Sequence, residues 1–207
     1  MQQCHLIIDK RKIKYITQKK PSPPMLKAQL KLHKERIPIR PVINNRTAPA
    51  YKLARHMTKI LNQHIALKNQ YNITNSTNLA NDTVKLEITD THRLITFDIK
   101  DLYINIPIQE TINIAQERIT KNNDPQKTQQ IIKLLKVILE QNYFTFQEQI
   151  FQPTQGVAMG SPISGLISEI FLQQCEEIHL KHPELQENSV LHEIRGRYPN
   201  YIRLSKK

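Results

Sequence analysis

Residues 94–107 read Leu94-Ile95-Thr96-Phe97-Asp98-Ile99-Lys100-Asp101-Leu102-Tyr103-Ile104-Asn105-Ile106-Pro107. The run opens with apolar and β-branched residues, the composition of a buried strand. Asp98 interrupts it while the apolar pattern is still in progress. A carboxylate there costs on the order of several kcal/mol to bury unless a partner compensates it, and a metal ion is one such partner. Tyr103 follows five residues later, and Asn105 and Pro107 close the segment. Taken alone, the string also fits an ordinary strand–helix unit whose strand ends in Asp. Its reading therefore depends on a second stretch.

That stretch is Gln155-Gly156-Val157-Ala158-Met159-Gly160-Ser161-Pro162-Ile163-Ser164-Gly165. Three of the chain's four glycines, Gly156, Gly160 and Gly165, fall inside it, which marks an unusual backbone. Two glycines let the backbone approach a ligand closely. Ser161 is suited to cap a helix whose first residue is Pro162. Ile163, Leu166, Ile167, Ile170 and Phe171 then recur at helical spacing. The stretch is a loop at a helix N-terminus, where free N–H groups favour phosphate or sugar oxygens. A generic glycine-rich cap has the same local signature.

Together the two stretches resemble reverse transcriptases. Phe97-Asp98-Ile99-Lys100-Asp101-Leu102-Tyr103-Ile104-Asn105-Ile106-Pro107 resembles the first catalytic motif, Asp followed five residues later by an aromatic, in the form found in Penelope-like retroelements. Gln155-Gly156 through Gly160-Ser161-Pro162 resembles the later Gln-Gly-x-x-x-Gly-Ser-Pro motif. Lys31-Leu32-His33-Lys34 and Arg40-Pro41-Val42 resemble the fingers motifs, and the three lie in the family's order. The resemblance implies an RNA-directed DNA polymerase that uses Mg2+ or Mn2+, an RNA template, a DNA primer and a dNTP. It implies that Asp98 is the catalytic and metal-binding carboxylate. By the same resemblance Tyr103, Gln155 and Gly156 line the nucleotide pocket, with Arg40 and Lys31 or Lys34 on the triphosphate. Gly160, Ser161 and Pro162 support the template–primer. Asp101 is not a ligand in the family pattern.

The implied fold is α+β: a partial right-hand polymerase, with fingers and most of an RRM-like palm in which helices pack an antiparallel sheet, and without a thumb. The organisation expected is a basic N-terminal extension at 1–23, an incomplete fingers and palm at 24–180, and a divergent tail at 181–207. The family's second and third carboxylates lie on a Tyr-x-Asp-Asp hairpin after the Gly-Ser-Pro helix. Here no Asp follows Asp124, and Arg197-Tyr198-Pro199-Asn200-Tyr201 stands at about that distance. Two-metal phosphoryl transfer needs at least two converging carboxylates, so loss of activity is expected. Glu187 and Glu193 are substitutes by distance alone. The alternatives are a non-catalytic nucleic-acid-binding remnant and a decayed reading frame without function.

Between the motifs, periodicity supplies the frame. The Pro24–Pro49 stretch reads as two short strands with a basic turn. Leu53, Met57, Ile60, Leu61 and Ile65 predict a helix over 50–68. Residues 69–78 read as a loop, with a short helix near Leu79–Ile88. Ile108, Ile112, Ala115 and Ile119 predict one helix. Ile131, Leu134, Leu135 and Ile138 predict another, with Asp124 as N-cap and Pro125 at its first position. Residues 143–152 read as a hairpin.

A net charge of +12 favours an anionic partner, and nucleic acid is the commonest. A solvated basic surface has the same composition. The basic run in residues 1–20 suits phosphate contacts, but a mobile terminus is the commoner outcome. Cys4 and Cys175 have neither disulfide nor zinc spacing. No apolar run reaches the ~18 residues of a membrane span, and no signal peptide stands out. An intracellular location, in nucleus or cytoplasm, is expected. Oligomeric state is open.

Overall fold

The computed structural model describes residues 4–32, 35–67, 72–73, 75–85, 92–179, 189–195 and 199–206, with backbone only for 72–73, 82, 92–98, 179, 189–195 and 199–206. The chain divides into two compact units. One comprises Met1–Ala66 and Tyr103–Phe171, the other Leu67–Leu102 and Leu172–Lys207.

The first unit sets four helices beside a four-stranded sheet. Its strands are β1 (Met25–Leu30), β2 (Ile39–Asn44), β5 (Phe144–Phe146) and β6 (Gln149–Phe151), in the order β2-β1-β5-β6. β1 and β2 are antiparallel, with Met25 opposite Asn44 and Leu30 opposite Ile39. They are the two strands predicted from the proline-flanked apolar runs. β5 joins β1 in parallel through Met25 and Thr145, and turns back into β6 as the predicted hairpin.

The helices follow their apolar stripes. In α2 (Tyr51–His64), Leu53, Met57, Ile60 and Leu61 are buried. Ile65 is buried too, but its backbone is already extended, so the helix ends sooner than the stripe suggests. In α5 (Ile108–Thr120), Ile112, Ala115 and Ile119 are buried. In α6 (Pro125–Glu140), the Asp124 carboxylate accepts a hydrogen bond from the Lys127 N–H at 3.1 Å, and Pro125 opens the helix. An Asp cap of this kind is worth about 1 kcal/mol. Ile131, Leu134, Leu135 and Ile138 then enter the core. Each fully buried Leu or Ile contributes about 1.5–3 kcal/mol.

The N-terminus departs from expectation. Lys10–Ile16 forms helix α1, capped by Asp9, whose side chain accepts from the Arg11 N–H. Cys4, Ile8 and Ile16 are buried, and the Leu6 N–H donates to the Gln130 side chain at 3.0 Å. The basic residues hide a small apolar set that docks the segment, so a charge count alone mistakes it for a free tail.

The second unit carries the sheet β3-β7-β8-β4, built from β3 (Asn72–Ile73), β4 (His92–Asp98), β7 (Ser189–Arg195) and β8 (Pro199–Lys206). β4 and β8 are antiparallel, as are β7 and β8, while β3 runs parallel to β7. Thus the region expected to be a divergent tail contributes a hairpin beside the strand that holds Asp98. Helix α3 (Ser76–Val84) begins within the expected loop at 69–78 and ends before Ile88. Residues 86–88 lie outside the described residues, as do 69–71 and 74 of that loop. Across the boundary between the units, the short helix α4 (Leu102–Asn105) follows Asp101, and α7 (Ser164–His179) follows the glycine-rich loop. Among the described residues no helix is long and apolar enough to cross a membrane.

Candidate functional site

In the first unit the glycine-rich loop meets Tyr103 and β2. The Val157 N–H donates to the Tyr103 carbonyl at 2.7 Å. Gly156 has φ +75°, and a Cβ there would lie 2.5 Å from the backbone of Ile104. The Asn142 amide donates to the Gly156 carbonyl at 3.0 Å and ties the same turn to the end of α6. On its other side, the Ile43 N–H of β2 donates to the Met159 carbonyl at 2.7 Å. Gly160, with φ +115°, sits so close to the Ile43 carbonyl that a Cβ would overlap it. The loop is therefore sewn at one end to the Tyr103 segment and at the other to the strand that carries Arg40.

This corrects the reason for the glycines. The sequence suggests that Gly156 and Gly160 make room for a ligand. The structure spends that room on the chain's own backbone, at Ile104 and Ile43. Positive φ is a second requirement that glycine meets without strain. Gly165 differs: it lies in α7, and a Cβ there would meet open space.

The helix start is also corrected. Pro162 is expected at the first helical position, but α7 begins at Ser164. The intervening residues form a turn in which the Ser164 N–H donates to the Ser161 carbonyl at 3.2 Å. The Ser164 hydroxyl donates to the Ala158 carbonyl at 2.7 Å, closing the loop onto its own helix. Thr58 of α2 donates to the Pro162 carbonyl at 3.3 Å. Behind the loop, a cavity of about 30 Å³ is lined by Asn45, Tyr51, Asn142, Val157 and Ser161 among others. That is room for a water molecule and not for a nucleotide.

The remaining predicted residues distribute as follows. Tyr103 is half-buried in α4, Gln155 is exposed on the loop, and Gly156 is buried. Ser161 and Pro162 are half-buried, and Gly160 is exposed. Arg40 is half-buried in β2, with Gln29 as its partner on β1. Lys31 is half-buried just past β1, and its N–H donates to the Pro38 carbonyl at 3.0 Å. His33 and Lys34 lie outside the described residues. Asn142, which the sequence reading passed over, is a positioning residue for the loop. Its only signal is a place two residues beyond the end of α6.

In the second unit Asp98 ends β4 and stands opposite Asn200 of β8, with Phe97 opposite Tyr201. Glu193 of β7 stands opposite Tyr201, and Glu187 lies outside the described residues. Among the described residues no three His, Cys, Asp or Glu side chains group as a metal site. One carboxylate opposite one neutral amide does not match the donor set of a two-magnesium centre, which draws on several carboxylate oxygens. The Asp98–Asn200 pair by itself therefore does not supply the donors of the implied pair of ions. Asp101, with φ +54°, adopts the left-handed conformation that Asp tolerates as a single residue.

Electrostatics elsewhere in the first unit are dominated by cations. His56 on α2 is held below its ordinary pKa of 6.5 by burial, then by Lys12 of α1 and Lys59 of α2. His64 is lowered by burial and by Lys127.

No curated protein matches the sequence. Solved structures match at low identity. The telomerase of Candida tropicalis, in complex with a fragment of telomeric RNA, superposes with a TM-score of 0.61 at 14% identity. The match covers 92% of this chain and 37% of that one. The telomerase of Candida albicans with a telomeric RNA fragment gives 0.59 at 8% identity, covering 92% and 39%. Apo Candida tropicalis telomerase lacking its C-terminal domain gives 0.57 at 13%, covering 95% and 47%. The chain thus spans less than half the length of these proteins and shares their α+β polymerase fold over most of its own. The family model for reverse transcriptase (RNA-dependent DNA polymerase) matches residues 32–192, a span that runs from just past β1 through β2 and the glycine-rich loop into β7. By that match, which takes in Tyr103, the Gln155–Pro162 loop and Asp98 alike, the chain belongs to the reverse transcriptase family.

Proposed function

We propose that this chain is a nucleotide- and template-handling part of a retroelement reverse transcriptase, of the Penelope-like branch, whose own chemistry is lost. Its substrates by this reading are an RNA template, a DNA primer and a dNTP. Tyr103, Gln155 and Gly156 form the nucleotide wall, Arg40 and Lys31 or Lys34 meet the triphosphate, and Gly160, Ser161 and Pro162 back the template–primer. The observation that carries the nucleotide reading is the Val157–Tyr103 hydrogen bond, which supports the joining of two separate family motifs into one backbone unit. RNA as template is supported by the RNA fragments in two of the similar telomerases. In cellular terms the protein works in the nucleus or cytoplasm. The domain plan follows as an extension at 1–23, the fingers and palm at 24–180 and the region of the lost hairpin at 181–207.

Loss of activity is supported by the register of Asp98 with Asn200, where the family's pattern calls for a second carboxylate. Asp98 then remains as a single carboxylate that holds magnesium or manganese weakly. The test is primer extension on an RNA template by the purified chain with Mg2+ or Mn2+. No extension, together with measurable dNTP or RNA binding, is the expected result. Metal-dependent extension would sink the inactive part of the proposal.

One observation favours a second, purely binding role. Residues 10–66 hold fifteen of the thirty Lys and Arg and one of the eighteen Asp and Glu, so the rest of the chain is slightly acidic. A genome-wide bias toward Lys codons would spread the charge evenly. A concentrated excess is the footprint of phosphate binding.

A further inference from the structure

We propose that helices α1 and α2 form a second binding surface, for single-stranded nucleic acid, on a face of α2 distinct from the one that meets the glycine-rich loop. The proposal rests on the reading that the chain handles nucleic acid, and adds to it a place and a mode.

Four of the seven residues of α1 are Lys or Arg: Lys10, Arg11, Lys12 and Lys14, all exposed. α2 carries Lys52, Arg55 and Lys59 and contains no Asp or Glu. Lys52, His56 and Lys59 are spaced i, i+4, i+7, which sets them along one face of the helix. Thr58, which meets the Pro162 carbonyl, is more than a quarter turn away at about 100° per residue. One hydrogen bond joins α2 to the end of α1, and a second joins the segments that flank them. The Lys52 ammonium donates to the Thr17 carbonyl at the end of α1 at 3.4 Å, and Gln18 donates to the Arg46 carbonyl at 3.3 Å. Lys12 and Lys59 both act on His56, so cations from the two helices converge across it. The acidic residue beside α1, Asp9, caps the helix and pairs with Arg11 at 3.9 Å.

A solvated basic face has no need of an aromatic. Tyr15 nevertheless stands three residues from Lys12, on the same side of α1, and is 77% exposed. An exposed ring among cations is the usual platform for a single strand: the ring stacks a base while the cations follow the backbone, with little sequence preference. RNA and DNA share this chemistry, and the test separates them.

The experiment is fluorescence anisotropy of labelled 20-nucleotide oligo(U) and oligo(dT) with the full chain, from 50 to 300 mM salt. Variants are the double Lys12→Gln/Lys59→Gln, the single Tyr15→Ala, and Arg40→Ala as a probe of the proposed nucleotide site. All change exposed or half-buried side chains, and matched thermal melts confirm folding. Binding should weaken about tenfold in the double variant. The slope of log K against log salt should shrink by about 1.4, for two lost phosphate contacts on a single strand. Tyr15→Ala should weaken binding about tenfold with the slope unchanged, since stacking releases no ions. Lys12→Arg/Lys59→Arg should restore the slope. If the patch variants bind as the parent does while Arg40→Ala weakens binding, the second surface is overturned and the nucleotide reading stands. If the parent binds neither oligonucleotide at 50 mM salt, both are overturned. If vesicles containing phosphatidylserine bind the patch and the oligonucleotides do not compete, the surface is a lipid one and the proposal falls.

Discussion

Val157 and Tyr103, more than fifty residues apart in the chain, are joined by a 2.7 Å backbone hydrogen bond, and that bond forces the next residue back, Gly156, against Ile104. Gly156→Ala must therefore do two costly things. It must hold a Cβ at φ +75°, which costs about 1–2 kcal/mol. It must also clear backbone atoms that lie 2.5 Å away and have no rotamer to change. A loss of about 2–4 kcal/mol in urea unfolding is expected, with a shifted midpoint and an unchanged m-value. Binding of a dNTP, if it uses this loop, should fail along with it.

Gly165→Ala is the informative contrast. It is nine residues from Gly156 and lies in the same glycine-rich stretch, but it sits in a helix with open space where its Cβ would go. Alanine there should stabilise the chain by about 0.5–1 kcal/mol, through helix propensity and a less flexible unfolded state. The same urea titration measures both variants. Destabilisation at both positions would mean that the two glycines are not distinguished by packing.

The two glycines also show what the sequence made legible. Concentrated glycine announced an unusual backbone, and the Tyr103 and Gln155 strings announced the family. Neither named Ile104 or Ile43 as the neighbours that require glycine, because those contacts depend on how distant segments pack. The helices α2, α5 and α6 were readable because a one-sided apolar stripe and a cap are local facts. α1 was not, since its apolar anchors, Cys4, Ile8 and Ile16, are sparse among charges and gain their meaning only on docking. Likewise, Asn200 was suspected from its distance along the chain, but its pairing with Asp98 is a matter of strand register.

His56 makes stability depend on pH in a stated direction. Burial, Lys12 and Lys59 hold its folded pKa below the ordinary 6.5. Below about pH 6.5 the unfolded chain therefore binds more protons than the folded one, and stability falls as pH falls. The loss levels off once pH drops below the folded pKa. His64 acts in the same direction. The melting temperature should be lower at pH 5 than at pH 7.5. His56→Leu should reduce that difference, and it also removes a buried ring nitrogen, Nε2, that has no hydrogen-bond partner. A pH profile unchanged by His56→Leu would show that carboxylates govern it.

The turn between β5 and β6 carries Gln147 and Glu148, with φ +49° and +64°. Two consecutive residues at positive φ are the geometry of a type I′ turn, which favours Asn-Gly and imposes a cost on longer side chains. Q147N with Glu148→Gly should therefore stabilise the hairpin. A gain of about 1 kcal/mol in urea unfolding is expected, with the far-ultraviolet spectrum unchanged. No gain would mean that the observed turn is not held in solution.

Asp98 and Asn200 face each other across β4 and β8, so a single substitution tests what the register implies. With one carboxylate, the parent should show no rise in melting temperature on adding 10 mM Mg2+. Asn200→Asp places a second carboxylate opposite the first. Without metal the two like charges repel, and the variant should melt below the parent, more so at low salt. Adding Mg2+ removes the repulsion and supplies hard oxygen ligands to an ion that prefers them. For a dissociation constant of about 1 mM, 10 mM Mg2+ stabilises by about 1.4 kcal/mol, which is a shift of a few degrees for a chain of this size. K+ at matched ionic strength should not reproduce it, since screening alone is not coordination. A variant that melts like the parent, with and without Mg2+, would mean that positions 98 and 200 do not converge and that Asn200 does not stand in place of a second carboxylate.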